Sequence, residues 1–104
     1  MVQMRSLTRD LRCPAAGEHF DEILRLRNVV IERIESSAQV ESRLYDQEQD
    51  EWILLLQGKA RLDLGGEEVD LAAGDCLLIP SRLPHRVLET SADPTCVWLA
   101  VHIY

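Results

Sequence analysis

From Asn28 onward, apolar residues recur at every second position in short runs, and turn-forming residues cut each run off. A period of two puts alternate side chains on opposite faces of an extended chain, so it admits strands and leaves no room for long amphipathic helices. Val29-Val30-Ile31-Glu32-Arg33-Ile34 is rich in β-branched residues and reads as a strand. Val40 to Tyr45 reads as a second. Glu51-Trp52-Ile53-Leu54-Leu55-Leu56 is an apolar run too short for a typical helix and is bounded by Gly58. Lys59 to Leu64 alternates polar and apolar, Gly65-Gly66 signals a hairpin turn, and Glu67 to Leu71 alternates again. Ala73-Gly74-Asp75 turns the chain into Cys76-Leu77-Leu78-Ile79, which Pro80 ends. His85 to Glu89, a turn at Ala92-Asp93-Pro94, and Thr95 to Ile103 complete the series. Roughly eight short, closely spaced strands predict an all-β sandwich or closed barrel and argue against a βαβ sheet.

The first 27 residues read differently. Residues 1–17 are polar and end in Cys13-Pro14-Ala15-Ala16-Gly17, an irregular arm. Phe20, Ile23 and Leu24 then fall at i, i+3 and i+4, which predicts a short helix over 18–25, with acidic residues in its first turn where the helix dipole favours them. The 104 residues suit one core, so residues 1–27 are expected to pack as an arm and helix on the barrel formed by 28–104.

Composition narrows the partners. Asp and Glu outnumber Lys and Arg by 18 to 11, a formal charge of −7, which excludes the clustered basic surface a nucleic-acid backbone requires. The arginines near the start are interleaved with acidic residues and read as a solvated face. Three cysteines without close spacing point to a reduced, cytoplasmic protein, with Cys76 and Cys96 read as small buried hydrophobes. No apolar run approaches the length of a membrane span, and the first residues lack a signal-peptide core.

Chemistry concentrates in two places. Tyr45, Gln47 and Glu51 share the parity of Ile53 and Leu55, so in extended chain a polar cluster runs directly into an apolar stripe, as a lined pocket requires. A carboxylate placed there is either paired, hydrogen-bonded or metal-bound in a pocket, or lies at a solvated rim. His85 follows a turn stiffened by Pro80 and Pro84 and shares its face with Val87 and Glu89; it reads either as a functional imidazole or as a structural one. His102 could face the pocket or an interface but reads better as packed or exposed, His19 reads as solvated, and Trp52 and Trp98 read as core or interface residues, although a tryptophan at a barrel mouth can also stack on a ligand.

Glu51, six residues and Gly58, followed by Gly74, five residues, Pro80, four residues and His85, resemble the two linked motifs of the cupin superfamily. The resemblance covers residues 45–89 directly, and the strand pattern extends it to 28–103. It implies a small double-stranded β-helix, or jelly-roll, barrel, and implies a homodimer. It also implies metal ligands at two histidines, a glutamate and a later histidine. Glu51 and His85 match the last two; Tyr45 and Gln47 stand where the His-x-His pair would be, Arg82 replaces the motif glycine, and Glu89 the closing asparagine.

Three functions follow. In the first, Gln47, Glu51 and His85 hold a divalent metal such as zinc, iron, manganese or nickel. In the second, Tyr45, Gln47, Glu51, His85 and Glu89 line a metal-free pocket for a small molecule, as in a binding or sensor module. In the third, Glu51 and His85 exchange protons in an isomerase or lyase.

Overall fold

The computed structural model describes residues 1–104. It holds eight strands: β1 (Glu18–Leu26), β2 (Val29–Ser36), β3 (Asp50–Gln57), β4 (Lys59–Leu64), β5 (Glu67–Ala72), β6 (Cys76–Ile79), β7 (His85–Thr90) and β8 (Cys96–Ile103). All pair antiparallel, in a five-stranded sheet ordered β1-β2-β8-β3-β6 and a three-stranded sheet ordered β5-β4-β7. The inner faces of the two sheets meet in a core of Ile34, Ile53, Leu55, Ala60, Leu62, Leu71, Ile79, Cys96, Trp98 and Ala100. No helix is long and apolar enough to cross a membrane.

Two elements differ from the sequence expectation. Residues 18–26 form no helix; they are the edge strand β1, paired along its length with β2. The pairing slips between Glu22 and Leu24, so Ile23 is an extra residue and the alternation changes phase there. A strand interrupted by such a bulge spaces its apolar residues at three and four, which imitates a helical period. Val40 to Tyr45 is not a strand either: only Tyr45 pairs, in a single bridge to His85. Glu41, Ser42, Arg43 and Leu44 are all exposed, so this stretch has no buried face to hold it in a sheet.

Two more bulges shape the barrel, at Leu56 in β3 and Leu88 in β7. At the β4–β5 hairpin, Gly65 and Gly66 both carry positive φ (60° and 97°), the left-handed pair that a tight hairpin turn requires. The arm before β1 runs over the outer face of β2. Arg33 donates to the carbonyls of Leu7 and Arg9, and the amide of Arg12 donates to the fully buried carboxylate of Glu35. His19, expected in solvent, lies 3.6 Å from that carboxylate. Farther along the outer face, Leu24, Ile31, Val101, Trp52 and Leu78 stand in register across all five strands. Leu24 and Leu78 are about half exposed, so this apolar row is only partly covered.

Candidate functional site

Between the sheets lies a cavity of about 170 Å³. Its apolar walls come from Ile34, Ile53, Leu62, Ile79 and Val87, with the rings of Phe20, Tyr45 and Trp98. Its polar groups are Glu18, Glu32, Gln47, Glu51, His85 and His102. Neither lysine nor arginine lines it.

Glu51 is the second residue of β3, where strand pairing to Ile79 on one side and His102 on the other fixes its backbone. Only 7% of the residue is exposed. Its Oε1 accepts from the Gln47 amide nitrogen at 2.8 Å, while Oε2 accepts no hydrogen bond and has His102 Nε2 at 4.0 Å. His85 opens β7 and is similarly buried. Its Nδ1 lies 2.9 Å from the Leu83 carbonyl, which can only accept; Nδ1 therefore carries a proton. In the neutral ring Nε2 is then a free lone pair, 3.9 Å from Glu51 Oε1. A carboxylate and an imidazole from two buried residues thus face one cavity with no hydrogen bond between them.

Tyr45 and Gln47 reach the cavity from a loop. Tyr45 is bridged to His85 through both backbone hydrogen bonds and stacks on its ring at 5.6 Å, while Arg43 sits 5.7 Å over the Tyr45 ring. Burial, and then the charge of Glu18, push the Tyr45 phenol above its usual range, so it keeps its proton. The loop is tied down by Arg82, whose amide donates to the Gln47 carbonyl and whose guanidinium pairs with Asp46 at 3.0 Å. Arg82 occupies the motif-glycine position and keeps a positive φ of 65°, a conformation glycine adopts without strain.

His102 donates from Nε2 to Glu32 at 2.7 Å and has the Gln49 amide on Nδ1. The bond to Glu32 raises its pKa, against the opposing effect of burial and with help from Glu51. Glu18 accepts from the Ser36 hydroxyl at 2.5 Å, and that hydroxyl accepts from the Trp98 indole at 3.1 Å. Burial first, then Glu51 and Glu32, raise the Glu18 carboxyl.

Glu89 does not join this group. The bulge at Leu88 turns it outward opposite Arg61, and it is exposed. Of the cysteines, Cys96 is buried, and burial pushes its thiol up to about 12, whereas Cys76 lies exposed on the outer face of β6. Sequence reasoning passed over Glu18 and Glu32 and preferred a packed or exposed His102 to one facing the pocket, where the structure places it. Glu32 shares parity with Val30 and Ile34, and a charge between two core residues on one face was the available signal.

The cupin-domain profile matches residues 30–102. The chain belongs to the cupin family. The barrel superposes on a candidate mannose-6-phosphate isomerase from Ralstonia eutropha with a TM-score of 0.89 and 33% identity, covering 98% of both chains. An RmlC-like cupin from Desulfovibrio desulfuricans matches at a TM-score of 0.82 and 17% identity, covering 99% of this chain and 97% of that one. Cobalt(II) HppE in complex with Tris buffer matches at 0.74 and 13%, covering 90% of this cupin and 57% of that chain. At those lower identities the likeness is one of fold. No curated protein matches this cupin.

Cupins often carry a metal, so the donor set here was compared with what a metal needs. No three His, Cys, Asp or Glu side chains converge on one point. Gln47 turns its amide nitrogen to Glu51, Tyr45 is held protonated, and His102 Nε2 is committed to Glu32. Of the motif positions only His85 and Glu51 are left as ligands, fewer than the three or four protein ligands of ordinary zinc sites; Glu18 and Glu32 each keep an open carboxylate oxygen but do not complete a converging group.

Proposed function

We propose that this cupin binds a small polar molecule in the barrel cavity, with Glu51 and His85 as its central recognition pair. The observation that carries the reading is Glu51 Oε2 and His85 Nε2, atoms of two buried residues that line the cavity and have no hydrogen-bond partner within the chain. Buried polar groups are ordinarily satisfied, so two left open in one apolar-walled cavity are consistent with a partner that is not part of the chain. The pair also suits proton transfer, since an imidazole nitrogen and a carboxylate oxygen 3.9 Å apart could serve two positions of one ligand. The isomerase named among its relatives is compatible with that chemistry.

The test is a thermal-shift screen of metabolite classes on the wild type, Glu51→Gln and His85→Asn. A ligand at 100 times its Kd stabilises by about 2.7 kcal/mol, several degrees for a domain of this size. Stabilisation by some class, lost in both variants, is the expected result; equal stabilisation of all three proteins counts against the site.

A second reading keeps a divalent metal (zinc, iron, manganese or nickel) on His85 and Glu51. It is favoured by the free His85 Nε2 and requires Gln47 to turn its oxygen inward. Metal analysis of untagged protein decides it: near-stoichiometric metal lost in both variants supports it.

We also propose that a second copy of the chain covers the row from Leu24 to Leu78. The row is apolar, in register and partly exposed, as an isologous contact between two sheets requires.

A further inference from the structure

We propose that the molecule this cavity takes is a small organic cation, an amine or quaternary ammonium, received by Glu51 with Glu18 and Glu32 contributing negative potential. The inference rests on the reading of the cavity as a ligand site and names the class of ligand. Three carboxylates line the cavity, and no lysine or arginine does. His102 supplies at most one positive charge, already engaged by Glu32 at 2.7 Å. The remaining carboxylates have no lysine or arginine partner: Glu51 accepts a hydrogen bond only from the Gln47 amide, with the Nε2 atoms of His85 and His102 at 3.9 and 4.0 Å, and Glu18 accepts only from the Ser36 hydroxyl.

Three carboxylates around one small space, Glu51 buried and Glu18 and Glu32 partly so, repel each other; the Glu18 carboxyl, raised first by burial, is raised further by Glu51 and Glu32. A cation placed among them would remove the repulsion and give the open Glu51 Oε2 its partner. A phosphate or carboxylate ligand would add to the repulsion in a site where low polarity strengthens it. The walls agree with this choice. Phe20 and Trp98 contribute ring surface beside the carboxylates, the combination that favours ammonium groups over neutral ones. A volume of about 170 Å³ has room for a compact ammonium ion.

Choline, its neutral carbon isostere 3,3-dimethylbutan-1-ol, and mannose 6-phosphate make a matched test. Each is titrated at low ionic strength into wild type, Glu51→Gln and Glu68→Gln, following the side-chain signals of His85 and His102 by NMR. Glu68 is exposed on β5 and controls for the negative charge of the whole chain. The expected result is choline binding about tenfold more tightly than its isostere, the gap closing in Glu51→Gln and persisting in Glu68→Gln, with no response to mannose 6-phosphate. Equal or tighter binding of the alcohol or the sugar phosphate at the same signals overturns the cation assignment while leaving the ligand-site reading standing. Absence of choline binding at millimolar concentration overturns the assignment too; the screen of neutral and anionic classes then decides the ligand-site reading separately.

Discussion

Replacing Gly58 by alanine tests how the barrel is closed. Gly58 sits between β3 and β4 with φ of 92°, in the region L side chains rarely adopt. A β-carbon there would come 2.6 Å from Ser91 Oγ and 2.9 Å from Cys96 Cα. The serine cannot simply turn away, because its hydroxyl accepts from the Lys59 amide and donates to the Pro94 carbonyl. Cys96 is backbone, held in register opposite Ser36. Gly74 supplies the control: its φ is 96°, but nothing lies within 4 Å of its β-carbon position. Backbone strain alone costs roughly 1–3 kcal/mol, and overpacking against a fixed neighbour adds roughly 1–3 more. Gly74→Ala should therefore lose about 1–3 kcal/mol, and Gly58→Ala about 2–6, a large part of the roughly 5–15 kcal/mol that holds a small domain folded. Urea unfolding at equilibrium measures both. A Gly58→Ala protein no less stable than Gly74→Ala would show that the approach of Cys96 does not enforce glycine here.

Other expectations concern charge and assembly. Ionised Glu18 is disfavoured by burial, so its raised pKa means the folded state binds its proton more tightly than the unfolded state does; stability tied to this group is lost as pH rises through that raised value. Glu18→Gln should raise stability at pH 7 by about 1 kcal/mol, and a lowered melting temperature would refute this. His102 is raised by Glu32, so its contribution is complete below about pH 6.5 and is lost as pH rises through its higher folded value. Melting curves between pH 5 and 9 should show a decline that is flatter in His102→Gln; parallel curves would contradict the pairing. If two copies meet on the outer face, Leu78→Glu should convert a dimer to a monomer in light scattering, whereas an unchanged mass would remove that face from the interface.

What the sequence disclosed followed from how directly periodicity maps onto pairing. Strand β2 was legible from its β-branched run and strands β3 to β8 because short apolar or alternating runs and turn residues coincide along them, as at Gly65-Gly66 and Pro80. The bulges were not, because an extra residue leaves no compositional mark and only partner strands reveal it. The bulge at Ile23 made β1 resemble a helix, and the bulge at Leu88 turned Glu89 outward. The cavity's position was legible from Glu51 and His85 in linked motifs. Its electrostatic character was not, because Glu18 and His102 meet the others only through pairings that join β1, β2, β8 and β3. The loss of the His-x-His pair was plain in the sequence. That Gln47 points its nitrogen at Glu51 required the side chains themselves.

The most direct test of the central claim is nitrogen NMR of the His85 ring while pools of amines, polyols, sugars and sugar phosphates are added to the protein. The account expects at least one pool to move the Nε2 signal saturably, with Nδ1 remaining protonated against Leu83, and Glu51→Gln to weaken that response. A His85 Nε2 signal that no pool moves, in a protein whose cavity variants behave as wild type, would contradict the assignment of this cavity as the binding site.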